Sequence, residues 1–190
     1  MTSITRSSFA TVFALSLVGG LLLLAPAQSL AQEKYKISYS TKAENTKYTF
    51  QYGLEIPDIP GHILRMVEIR VTWPDGGAPT IQGEKVAEAI SRATSDNVGG
   101  NGLVRGYTIW RFENGDQVFQ EYSNTVQAVV SPDQSKKVTF VGTYVMTGGT
   151  GKLKGIKGVG RFSGRAESNP DGKATRAEYS AEGEYWFDNR

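Results

Sequence analysis

From Lys34 onward the chain repeats one kind of segment, a run of alternating side chains rich in β-branched and aromatic residues that closes in a cluster of turn formers. Successive side chains of a strand point to opposite faces, and Gly, Pro, Asn and Asp interrupt it, so this repeat specifies antiparallel strands. The pattern predicts strands over residues 35–41, 47–54, 63–73, 86–94, 103–113, 117–130, 137–147, 159–167 and 174–187. Turn clusters separate them, among them Pro57-Asp58-Ile59-Pro60-Gly61, Pro74-Asp75-Gly76-Gly77, Ser131-Pro132-Asp133 and Pro170-Asp171-Gly172. Asn114-Gly115 is the clearest hairpin turn. Val86, Ala89, Ile90 and Ala93 also fit a helical stripe; strand is the reading adopted there.

No run is followed by a crossover helix, which excludes a parallel sheet and leaves a sandwich or a closed barrel. Closure removes exposed edges, so the expected fold class is all-β, an antiparallel closed or nearly closed β-barrel of about eight strands. In the last run Tyr179, Ala181, Gly183, Tyr185 and Phe187 share one face, and Glu178, Ser180, Glu182 and Glu184 the other, so one side is packed and one is wet. Tyr107 and Ile109 oppose Trp110 and Phe112, which asks for a lumen on one side and cover on the other.

Ahead of this domain Arg6 precedes an apolar run from Phe9 to Leu24, and Ser29-Leu30-Ala31 offers the small residues a signal peptidase needs. Residues 1–31 are therefore expected to be a cleavable signal and 32–190 a single β-barrel domain, periplasmic or secreted, with no stable membrane insertion of the mature chain. The sequence has no cysteine, so neither disulfides nor a lipid anchor on a cysteine are available. Lys and Arg total 21 against 19 Asp and Glu, a balance that provides no basic face for nucleic acid.

The most distinctive stretch runs from Val141-Gly142-Thr143-Tyr144-Val145-Met146-Thr147 into Gly148-Gly149-Thr150-Gly151-Lys152-Leu153-Lys154-Gly155-Ile156-Lys157-Gly158-Val159-Gly160. Its glycines suit a positive-φ reversal at Gly148, Gly149 and Gly151, with Leu153 and Ile156 turned inward as plugs and Gly158 and Gly160 letting the next strand curl. It is not a phosphate-binding loop, because Leu153 follows Gly151-Lys152 where Ser or Thr is required and Met146 stands at the first glycine position. The stretch resembles the strand, glycine turn and strand of the allene oxide cyclase-like and dirigent-like β-barrels, with Leu153 where those families often carry phenylalanine. The resemblance implies a barrel with an apolar pocket and a homo-oligomer, often a trimer. Plant members act on or orient small oxidised lipids or phenolic radicals. The resemblance assigns no catalytic residue to this chain.

Chemistry is sparse. His62 is the only histidine, so no histidine pair exists for a metal, and no Gly-x-Ser-x-Gly elbow accompanies it. No metal site and no cofactor are expected. Glu68 and Glu121 each interrupt a long strand otherwise rich in apolar or uncharged residues and are the catalytic candidates, with Arg70, Arg105 and Arg111 as possible partners. Aromatic residues are spread over neighbouring strands, and small barrels use them either to fill the interior or to line a cavity. Trp110, Tyr122 and Tyr144 are the expected ligand contacts. The function expected is an exported small-molecule or lipid-binding barrel of unknown ligand. The alternatives are a cyclase or isomerase acting on a hydrophobic molecule in the lumen and a non-catalytic structural envelope protein.

Overall fold

The computed structural model describes residues 32–130, 136–169 and 173–188. The expected signal segment and the turns around Pro132 and Pro170 lie outside the described residues. Ten strands follow in chain order: β1 (Tyr35–Thr41), β2 (Thr46–Glu55), β3 (His62–Thr72), β4 (Thr80–Ile81), β5 (Glu84–Val98), β6 (Asn101–Phe112), β7 (Gln117–Val130), β8 (Lys136–Gly149), β9 (Ile156–Ser168) and β10 (Ala174–Phe187). Two single 3-10 turns, Ala43–Asn45 and Gly151–Leu153, are the only helical elements among the described residues. The sheet runs β1-β10-β9-β8-β7-β6-β5-β3-β2, with the short β4 clipped onto β5. Every pairing is antiparallel.

The segment that could be read as a helix is strand β5, and its misleading spacing has a cause. A register shift between Val86 and Glu88 moves the buried positions from Val86 to Ala89 and Ala93. One extra residue in a strand converts alternation into a spacing of three and then four, which imitates a helix face.

The backbone ladder is not closed. Its edge strands, β1 and β2, are consecutive in the chain, and the 3-10 turn between them carries the backbone off β10. Side chains bridge the gap that results. The Gln51 amide donates to the Ala174 carbonyl at 2.7 Å and accepts from the Ala174 N–H at 3.1 Å, and Thr46 Oγ1 donates to the Ala177 carbonyl at 2.8 Å. A primary amide that donates and accepts at once satisfies both polar groups of Ala174, as a strand neighbour would.

One end of the sheet is packed solid. Ile81, Val118, Leu153 and Ile156 are fully buried there, with Val86, Phe112, Met146 and Tyr185 beside them. Leu153 and Ile156 turn inward as the sequence implies, and burial of side chains of this size contributes roughly 1.5–3 kcal/mol each. Gly148 and Gly149 complete strand β8 instead of making the reversal, and positive φ falls at Gly151 and Gly155. The Asp116 carboxylate accepts the Lys152 N–H at 3.1 Å, and Thr150 Oγ1 accepts the Gln117 N–H at 2.8 Å. These contacts tie the β8–β9 connection to the β6–β7 hairpin and hold the plug in place.

Candidate functional site

Away from the plug the curled sheet surrounds a cavity of about 440 Å³, a size in the range of small-molecule sites. All nine long strands contribute to its wall. The contribution follows the pleat: Ile63, Arg65, Val67 and Ile69 from β3 and Gln120, Tyr122, Asn124 and Val126 from β7 line the cavity, while the residues between them face outward. Trp110 is 1% exposed, and the edge of one ring meets the face of the other where it contacts Tyr39, 5.2 Å between centroids.

Aromatic rings form a continuous course around the wall. Tyr122 meets Phe162, Phe162 meets Phe140, Phe140 meets Tyr179, Tyr179 meets Tyr39, and Tyr39 meets Trp110, with centroids between 5.2 and 6.5 Å apart. Tyr144 lies flat across two neighbouring strands. A Cβ at Gly160 would stand 2.3 Å from its Cζ, and one at Gly183 would stand 2.7 Å from its hydroxyl oxygen. Gly160 is therefore a seat for the Tyr144 ring, a role that its sequence context does not show.

The phenols are kept neutral. Burial pushes the Tyr39 hydroxyl well above its ordinary range, raises Tyr179 and Tyr122, and brings Tyr48 and Tyr144 up to about 12. A phenol with its pKa so far above neutrality donates hydrogen bonds and does not act as a base at physiological pH. Among the described residues lining the cavity Arg65 carries the one formal charge, and there is no Asp, Glu, Lys or His.

Trp110, Tyr122 and Tyr144 all line this cavity. Glu68 and Glu121 do not, because each sits between inward residues of its strand and points to the outer face. Glu68 accepts hydrogen bonds from Thr49 Oγ1 at 2.8 Å, Arg92 Nε at 2.9 Å and Arg70 Nε at 3.3 Å. Those bonds, Thr49 first and then Arg92, hold its carboxyl below the usual range. Glu121 is exposed. Of the arginines expected as partners, Arg70 pairs with Glu68, while Arg111 reaches Glu88. Tyr107, for which cover was expected, is 65% exposed.

His62 is half-buried where β3 begins, with Nδ1 2.6 Å from Asp58 and Nε2 2.8 Å from Asp96. Both carboxylates raise its pKa, Asp58 more than Asp96. Its neighbours Gly61 and Ile63 line the cavity, as does Asn97 beside Asp96.

Sequence reasoning missed Tyr39, Tyr48, Phe162 and Tyr179 as lining residues, and with them Gln120 and Asn124. The last two share the parity of Tyr122 along β7, so a consistent alternation would have found them. Arg65 had no such signal, because β3 carries apolar residues on both faces.

The fold and cavity thus define an all-β antiparallel protein with an internal, largely apolar chamber. No protein-family model matches the chain, and no curated protein matches it. Among solved structures it is similar to that of a pterocarpan synthase dirigent protein, at 11% identity over 86% of this chain and 90% of that one, with a TM-score of 0.44.

Proposed function

We propose that the domain binds a largely apolar small molecule in the cavity and holds it without acting on it chemically. The observation that carries this reading is the wall itself: about 440 Å³ bounded by aromatic rings and neutral phenols, with no carboxylate, histidine or lysine among the described lining residues. A cyclase or isomerase needs a positioned acid or base at the reacting atoms. Glu68 and Glu121, the candidates for that role, face outward. Closure of the sheet into a barrel is part of the proposal, and the Gln51 and Thr46 bridges to β10 support it. The leader-like pattern of residues 1–31 supports a periplasmic or extracellular site of action.

Tryptophan fluorescence tests the reading. The chain has three tryptophans, so Trp73→Phe and Trp186→Phe together leave Trp110 as the sole reporter. Titration with fatty acids, isoprenoids and phenolics is expected to give a saturable change in Trp110 emission with at least one of these classes. Emission unmoved by all three classes would refute a binding role for the cavity.

A further inference from the structure

We infer that Gln120 is the polar anchor of the cavity, and that the molecule held there inserts an uncharged acceptor oxygen, such as a ketone or ester carbonyl, at its buried end. The inference rests on the binding role proposed above and adds the chemistry of the ligand's leading end.

Gln120 belongs to a rung that crosses the wall in register, from Ile69 on β3 through Ser91 on β5, Thr108 on β6 and Gln120 on β7 to Met146 on β8. The rung lies two residues from Trp110 along β6, close to the plugged end. Its two hydroxyls pair with each other, Ser91 Oγ to Thr108 Oγ1 at 2.7 Å. Gln120 is different. The residue is 5% exposed, and its Nε2 has no hydrogen-bond partner among the described residues. A buried amide N–H without an acceptor has lost its water and gained nothing in return, so an acceptor supplied by a ligand is worth more here than at a wet surface. Rotation of the terminal amide exchanges the positions of Nε2 and Oε1 and breaks no hydrogen bond with a described residue.

Charge on the wall sets the ligand's polarity. No residue of this rung carries a charge, and Tyr48, which continues it from Ile69 onto β2, is a neutral phenol. Arg65 stands four residues from Ile69 along β3 toward the rim, roughly 13 Å at the rise of a strand. A carboxylate pushed down to Gln120 would be desolvated far from any lining cation, whereas a carbonyl needs only the N–H that Gln120 has unpaired. The buried end of the ligand is therefore neutral and oxygen-bearing.

Two fluorescent probes of similar size separate this inference from the reading beneath it. 6-Propionyl-2-dimethylaminonaphthalene is an aromatic ketone whose emission moves to longer wavelength when its carbonyl accepts a hydrogen bond. N-phenyl-1-naphthylamine is an aromatic amine without an acceptor oxygen. Gln120→Leu is expected to weaken the ketone about threefold to tenfold and shift its bound emission to shorter wavelength, while the amine binds as before. Unchanged ketone affinity and emission, or an equal loss for both probes, would overturn the anchor. If the wild-type protein binds neither probe, the cavity-binding reading itself fails. The infrared carbonyl band of the ketone bound to wild-type protein needs no variant: it is expected below its position in alkane solvent, and a band at the alkane position also overturns the inference.

Discussion

Replacing Gly160 by alanine puts the seating of Tyr144 to the test, because sterics and chain entropy push the result in opposite directions. Gly160 does not have positive φ, so alanine fits its backbone, and such a change ordinarily stabilises by about 0.4–1 kcal/mol through a less flexible unfolded chain. Here the new Cβ would meet Tyr144 Cζ at 2.3 Å, the Tyr144 hydroxyl oxygen at 2.4 Å and the Glu182 carbonyl oxygen at 2.5 Å. Carbon atoms rest comfortably about 3.5–4.0 Å apart, so at least one neighbour has to move by roughly 1 Å. Overpacking of this kind costs about 1–3 kcal/mol; its middle value, about 2 kcal/mol, exceeds the entropic gain and leaves a net loss of about 1–2 kcal/mol. In a domain of this size that lowers Tm by roughly 2–8 °C. Urea denaturation of Gly160→Ala, in the wild-type and in the Tyr144→Leu background, measures it. The alanine is expected to cost about 1 kcal/mol less once the ring is gone. Gly148→Ala is the control, because no atom lies within 4 Å of its added Cβ, and it is expected to be neutral or stabilising. Equal cost in both backgrounds, or a Gly160→Ala protein at least as stable as wild type, would refute the seating of the ring.

The seam between β2 and β10 makes its own prediction: Gln51→Leu removes two hydrogen bonds to Ala174 and is expected to cost about 1–3 kcal/mol, with faster hydrogen exchange at the Ala174 amide. Unaltered exchange there would mean that the side-chain bridge does not hold the gap. His62 predicts a pH dependence. Its folded pKa lies above 6.5, so the stability it contributes is complete below pH 6.5 and is lost as pH rises through the folded value. Asp58, lowered from 3.8 chiefly by its hydrogen bond to His62, contributes above pH 3.8 and loses its contribution as pH falls through its folded value. The clasp is therefore strongest between about pH 4 and 6.5. Proton NMR of the single histidine is expected to titrate above 6.5 and to move down in Asp58→Asn; a midpoint at or below 6.5 in the wild type would contradict the paired geometry.

Alternation and turn chemistry by themselves determine most of the fold. Strands β7 and β10 begin and end where the sequence pattern does, because Gly, Pro, Asn and Asp stop a strand through local sterics that need no tertiary partner. The inward turn of Leu153 and Ile156 is legible for the same reason: two apolar residues within a glycine-rich, otherwise polar connection have nowhere else to go. The choice of inner face in β3 is different. Ile63, Val67 and Ile69 on one face are matched by Leu64 and Met66 on the other, so local hydrophobicity does not separate them. Pairing with β2 and β5 turns Arg65 into the cavity and Glu68 out to Thr49, Arg92 and Arg70, which reverses the importance their positions suggest. The bulge after Val86 and the departure of the backbone from β10 after Thr41 likewise belong to the assembled sheet. A pleat specifies two faces with equal precision, and only the curl of the whole ladder decides which of them encloses the chamber.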